Sequence, residues 1–210
     1  VAPARAMPVA AERFETLDSW RGICALLVAL FHFPAAGWLE KNGFINGSFL
    51  FVDFFFVLSG FVIAHAYADR LKDGVSLKRF MVTRFGRLFP LHAFMLAAFV
   101  VFEGLRMALP SVTGGGETFT GGTSFGSLFS NLFLLHGLGF ETSLTWNAPS
   151  WSISTELFAY LLFGLVTVAL GRVALLAFAS AVIVAPLFLF AVSPDYMDAT
   201  SDFGFIRCLY

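Results

Sequence analysis

Charged residues are missing from long stretches of this chain, and that absence decides its fold class. No Lys, Arg, Asp or Glu occurs between Arg21 and Glu40, or between Arg172 and Asp195. Only Asp53 interrupts the stretch from Lys41 to Asp69, and only Glu156 that from Glu141 to Arg172. Such runs reach the ~20 residues that a helix needs to cross the hydrocarbon core of a bilayer. Lipid offers the backbone no hydrogen-bond partners, so each run must satisfy its own N–H and C=O groups as a helix. The composition agrees: 58% of residues are hydrophobic and 13% charged, whereas a soluble domain is typically about one-quarter charged. The expected class is all-α, a polytopic transmembrane helix bundle.

The pattern predicts five complete spans, near 20–37, 49–68, 88–109, 149–170 and 173–193, and a truncated final helix from about 203. The segment 68–87 carries Arg70, Lys72, Lys78, Arg79, Arg84 and Arg87 against Asp69 and Asp73. Cytoplasmic loops are enriched in Lys and Arg, which places this segment inside. Two spans earlier, residues 1–19, with Arg5 and Arg13, are then a cytoplasmic N-terminal segment, and Arg21 sits at the inner rim. The linker 38–48 and the Gly/Thr/Ser-rich loop 110–127 fall outside. The stretch 128–140, "LFSNLFLLHGLGF", is short: thirteen helical residues rise only about 20 Å. If it re-enters, Arg172 lies inside and the acidic linker of Asp195, Asp198 and Asp202 outside; if it crosses, the two exchange. The charge bias prefers re-entry.

The first apolar run follows acidic residues and has no small-residue cleavage site, so it does not read as a cleaved signal peptide. Residue 1 is Val, and the last residues, "FGFIRCLY", open another apolar run. The expectation is therefore a piece of a longer membrane protein, with residues 20–210 forming a C-terminally incomplete membrane domain. Cys24 and Cys208 lack metal-ligand spacing, so neither a metal nor a disulfide is expected. A net charge of −1 gives no reason to expect nucleic acid.

Within this apolar chain the titratable groups stand out. Arg21 and His32 lie eleven residues apart, about three full turns of helix, so they share a face. Asp18 precedes Arg21 by about one turn and can pair with it. His32 reads either as an acid–base group or as a packed interfacial histidine, and Arg21 as a ligand-binding cation or an inner-face anchor. Asp53 sits among phenylalanines in "FLFVDFFFVLSGFVI"; an acid there marks a site or pairs with an intramembrane donor. Ser59-Gly60 reads as a close helix-packing step. Arg84 and Arg87 sit three apart at an expected helix start, suited to gripping a phosphate or to anchoring at the interface. In "WNAPSWSISTELFAY", Pro149 suits a first helical turn. Glu156 lies about two turns on, with Ser152 one turn before it. Re-entry would bring Glu156, Asp53 and His32 to the same half of the membrane, where a carboxylate can orient an imidazole.

Taken together, "LDSWRGICALLVALFHF", "FVDFFFVLSGFVI", "RFGRLFP" and "PSWSISTELFAY" resemble, in order and spacing, membrane-bound acyltransferase family 3. This is a group of bacterial O-acyltransferases that decorate extracytoplasmic glycans. The resemblance covers about residues 16–210, and it departs from the family where Leu157, not a second acid, follows Glu156. It implies an acyl-CoA co-substrate, commonly acetyl-CoA, with no permanently bound cofactor, and a carbohydrate or glycolipid acceptor across a bacterial inner membrane. It assigns catalysis to His32 with Glu156 or Asp53, the CoA phosphates to Arg21, Arg84 and Arg87, and substrate binding to Trp151 and Ser152. His32 would act as a general base or carry the acyl group itself. Two rivals remain from the residues: a proton-coupled transporter relaying through His32, Asp53 and Glu156, and a structural membrane subunit.

Overall fold

The computed structural model describes residues 15–33, 37, 41–114, 116–192 and 203–209, without the side chains of Glu15 and Asp18. Arg5, Arg13, the Asp18–Arg21 pairing and the acids Asp195, Asp198 and Asp202 lie outside the described residues. No strand occurs among those that are described, and the architecture is all-helical. The chain forms two compact units, Val1–Phe55 and Phe56–Tyr210.

In the first unit, helix α1 (Glu15–Phe31) packs against a single helical turn at Gly43–Asn46 and a 3-10 turn at Gly47–Leu50. The sequence had placed its end near residue 37; it stops at Phe31 because Pro34 disfavours helical backbone at the residue before it. Asn42 caps the short turn, its side-chain oxygen accepting from the N–H groups of Phe44 at 3.0 Å and Ile45 at 3.3 Å. Such a cap satisfies donors that a helix start otherwise leaves bare. Helix α2 (Phe51–Tyr67) follows directly and carries the chain into the second unit.

The second unit is built around helix α3 (Gly74–Ala108), 35 residues long. It begins fourteen residues earlier than the charge pattern indicated, because a capping box fixes its start. The Asp73 carboxylate accepts the Ser76 N–H at 2.8 Å, and the Ser76 hydroxyl accepts the Asp73 N–H at 3.1 Å. The Ser76 N–H also holds the Asp73 carboxyl below the usual carboxylate range. Arg84 and Arg87 thus sit well inside a helix, not at its start.

α3 packs along helix α5 (Trp151–Leu170), named after the short helix α4 (Phe125–Leu132) that precedes it. Their shared core joins Ile63, Leu71, Phe80 and Tyr160 to the flanking Tyr67 and Phe163. A Cβ at Gly164 would lie 2.4 Å from Leu77 Cδ1, so a bare backbone there brings the two helices close. A 3-10 turn at Gly171–Val173 then leads into helix α6 (Ala174–Val192). Gly171, at φ 56° and ψ −125°, makes that corner in backbone space that side chains rarely enter.

The ambiguous stretch 128–140 does not form a spanning helix. α4 is eight residues long, about 12 Å of rise, and the chain is non-helical from Leu134 to Asn147. Backbone outside a helix must find its hydrogen-bond partners elsewhere in the protein, and here a polar layer supplies them. Asn131 Nδ2 donates to Ser127 O and Thr145 Oγ1, both at 2.7 Å, and Trp146 Nε1 donates to Ser127 Oγ at 3.1 Å. The Gly137 N–H donates to Ser154 Oγ at 3.0 Å, and that hydroxyl donates to Leu134 O at 2.5 Å. His92 Nε2 donates to Asn131 O at 2.9 Å.

Three continuous helical stretches are long and apolar enough to cross a membrane: Gly43–Tyr67, Gly74–Ala108 and Ala148–Val192. A shorter apolar helix covers Ser19–Phe31.

Candidate functional site

His32 stands one residue past the end of α1, with an exposed ring. Its Nδ1 lies 2.9 Å from the carbonyl of Val28. A carbonyl can only accept, so Nδ1 is the donor in this contact, and in the neutral tautomer Nε2 carries the lone pair. Ring orientation, expected of a carboxylate, is supplied here by the helix's own backbone. Phe31 packs edge-on against the imidazole at 4.9 Å. In the same unit Arg21 is half-buried on α1. Asp53 is half-buried in the first turn of α2, where the helix dipole favours a negative charge.

The second unit gathers a polar cluster around Glu156. Ser59 Oγ donates to Glu156 Oε1 at 2.7 Å, and the Tyr160 hydroxyl donates to the same oxygen. Glu156 and Tyr160 are one helical turn apart on α5, and Ser59 reaches them from α2. A cavity of about 80 Å³ opens beside them, lined by Ser59, Gly60, Ile63, Glu156, Tyr160 and Cys208 among others. It has room for water-sized or slightly larger groups. The Ser59-Gly60 step therefore works differently from the expected close packing. A Cβ on Gly60 would meet nothing within 4 Å, while Ser59 serves as a hydrogen-bond donor.

Arg84 lies on the other side of Tyr160. Only 9% exposed, its guanidinium sits 5.0 Å from the Tyr67 ring centre, 5.6 Å from Phe80 and 5.7 Å from Tyr160. Aromatic faces attract a cation, by about 2 kcal/mol or more when it is desolvated. This cage, with no carboxylate in it, keeps the charge in the core, and Nε has no hydrogen-bond partner among the described residues. Arg87, one turn further along α3, is exposed. The two arginines share a helix but not an environment.

Trp151 is packed rather than presented. It is 8% exposed, meets Phe56 edge-on at 5.8 Å, and carries the Arg207 guanidinium over its ring at 5.7 Å. Ser152 donates to Pro149 O at 2.9 Å within its own helix start. Both cysteines are free thiols, and no group of three or more His, Cys, Asp or Glu suited to a metal occurs among the described residues.

Sequence reasoning missed Tyr160 and the role of Ser59, although one turn's spacing from Glu156 flags the tyrosine. It also missed two buried histidines. The His92 and His136 rings lie 5.6 Å apart and nearly parallel. His136 Nε2 donates to Ser150 Oγ at 3.0 Å, since that hydroxyl's own proton goes to Asn147 O at 2.7 Å. Nothing local in the sequence signals this pair, whose members are far apart along the chain.

Comparison with known proteins agrees with the motifs. Residues 14–206 match the family described as "Acyltransferase domain". The chain is similar to "Protein 2 in picA locus" of Rhizobium radiobacter, 40% identical over 92 residues, covering 43% of this chain and 46% of that protein. It is also similar to "Acyltransferase MdmB" of Streptomyces mycarofaciens, 35% identical over 118 residues, covering 54% of this chain and 27% of that protein. The matches thus span less than half the length of either relative. No solved structure matches. With a single family covering nearly all of the helical region, the chain belongs to the acyltransferase domain family anticipated from its motifs.

Proposed function

We propose that the protein is an integral membrane O-acyltransferase. It takes an acyl group, acetyl in the simplest case, from acyl-CoA on the cytoplasmic side. It delivers that group to a hydroxyl of a carbohydrate or glycolipid on the far side of a bacterial inner membrane, with the N-terminus cytoplasmic. The observation that carries this reading is the contact of His32 Nδ1 with the Val28 carbonyl: it leaves Nε2 of the exposed ring as the nitrogen that acts as base in the neutral tautomer. In the reaction Nε2 takes the proton of the acceptor hydroxyl as that oxygen attacks the thioester carbonyl. A C–O bond forms, the C–S bond breaks, and the imidazolium returns its proton to the departing CoA thiolate. General-base help of this kind is typically worth about 10²–10⁴-fold in rate.

Glu156 and Asp53 are the acids available to assist, and Glu156→Gln and Asp53→Asn variants separate them. The inner-rim cations take the donor's phosphates. Arg87 and Arg21 are exposed or half-buried, whereas the enclosed Arg84 acts on the Glu156 cluster through Tyr160.

The test incubates membranes bearing the full-length protein with labelled acetyl-CoA and follows the label. It should appear on a polysaccharide or glycolipid, and His32→Ala should lower its appearance by about 100-fold or more while the protein stays in the membrane. Near-normal labelling by that variant would overturn the assignment. Solute flux without labelling would identify a transporter instead.

A further inference from the structure

Three buried acceptors in the second unit have nothing to accept. Among the described residues, His92 Nδ1, His136 Nδ1 and Asn131 Oδ1 lack a hydrogen-bond partner, although their side chains belong to residues only 1%, 5% and 0% exposed. Buried polar groups are otherwise nearly always paired, and a bare one is costly.

The bonds around them show that all three atoms present lone pairs. His92 Nε2 donates to Asn131 O at 2.9 Å and His136 Nε2 to Ser150 Oγ at 3.0 Å, so in the neutral rings Nδ1 carries the lone pair. A proton on either Nδ1 would put a charge into the core with no acceptor to meet it. The Asn131 amide donates from Nδ2 to Ser127 O and Thr145 Oγ1, which leaves Oδ1 as acceptor alone. The residues are neighbours: the Asn131 carbonyl touches His92, and the His92 and His136 rings lie 5.6 Å apart and nearly parallel.

Acceptors gathered without a donor call for an electron-poor ligand, and the pinning of the two rings says which kind. A metal-bound histidine almost always donates its other ring N–H to an oxygen, which fixes the tautomer and the ring's orientation. Both rings are held in this way. Two imidazoles on one zinc ion, with Zn–N bonds of ~2.0–2.1 Å, have centres up to about 6 Å apart, and the observed spacing falls within that limit. A single water has two hydrogens for three acceptors.

We propose that His92 Nδ1, His136 Nδ1 and Asn131 Oδ1 form a binding site for a divalent metal ion of the zinc class, which imidazole suits. The set holds fewer than three His, Cys, Asp or Glu because its third donor is an amide oxygen. The ion clips the non-helical segment after α4 to the middle of α3, a structural role separate from the chemistry at His32.

The probe is Zn²⁺ alone, added to the full-length protein in detergent after chelator treatment and removal of any affinity tag. About one equivalent should bind, measured by elemental analysis after gel filtration, and should raise the melting temperature by about 5 °C or more. Mg²⁺, which prefers oxygen ligands, should not. His92→Gln and His136→Gln should each weaken zinc binding about tenfold or more and lose the zinc-dependent shift. His65→Gln, on α2 and outside the cluster, should behave like the unsubstituted protein. X-ray absorption of the zinc-loaded, unsubstituted protein should show imidazole ligands, a reading that needs no variant to fold. Absence of zinc uptake, the result if water alone fills the gap, would overturn the proposal. So would uptake undiminished in both variants, or an absorption spectrum without imidazole.

Discussion

Tyr160 meets an acid and a cation at once: its hydroxyl serves Glu156 and its ring serves Arg84. These functions can be separated chemically. Tyr160→Phe keeps the ring and loses the hydroxyl, which should cost about 1 kcal/mol for the lost hydrogen bond. Tyr160→Leu also takes a wall from the guanidinium cage and should unfold at a clearly lower temperature in detergent. Equal melting temperatures for the two variants would mean that the ring does not hold Arg84. The sequence showed Glu156 because an acid in an apolar run is conspicuous. It did not show the cage, because Tyr67, Phe80 and Tyr160 look like three more aromatics in a chain with 28 phenylalanines. Only the fold reveals which rings surround a cation.

At the scale of helices, local pattern was informative in proportion to its lack of charge. The elements at Phe51–Tyr67, Trp151–Leu170 and Ala174–Val192 follow closely the charge-poor stretches that announce them, the first two interrupted by a single acid each. α3 was read short because its first turns are basic, and the capping pair Asp73 and Ser76 was overlooked among those charges. The irregular segment after α4 was legible only as too short to span; the side chains that sustain it come from distant positions. Its tightest point gives a sharp test. A Cβ on Gly137 would lie 2.6 Å from Trp151 O and 3.0 Å from Ser154 Cβ, and a backbone carbonyl in a helix cannot yield as a flexible side chain can. Gly137→Ala should therefore sharply reduce the yield of folded protein, judged by size-exclusion chromatography. Gly60→Ala, facing open space, should be neutral or stabilise α2 by up to about 1 kcal/mol. Similar behaviour of the two variants would argue against the polar layer as a structural keystone.

For the molecule as a whole, the non-spanning segment 128–140 bears directly on sidedness. Without a crossing there, and with α3 and α5 each crossing once, residues 78 and 172 share one face of the membrane and residue 117 the other; the topology proposed above makes the first face cytoplasmic. Single cysteines introduced at these positions, in a background lacking Cys24 and Cys208, should show this with an impermeant maleimide. Residue 117 should react in intact cells, and residues 78 and 172 only in inverted vesicles. Labelling of residue 172 from outside would require one more crossing. The length of α3 has its own implication for how such an enzyme meets its soluble substrate. Its 35 residues extend about 52 Å, against a hydrocarbon thickness of ~30 Å, so several of its turns must stand clear of the oil. On the function proposed above, a donor arriving from the cytosol would then meet a helix that is rooted in the bilayer and already formed before anything docks.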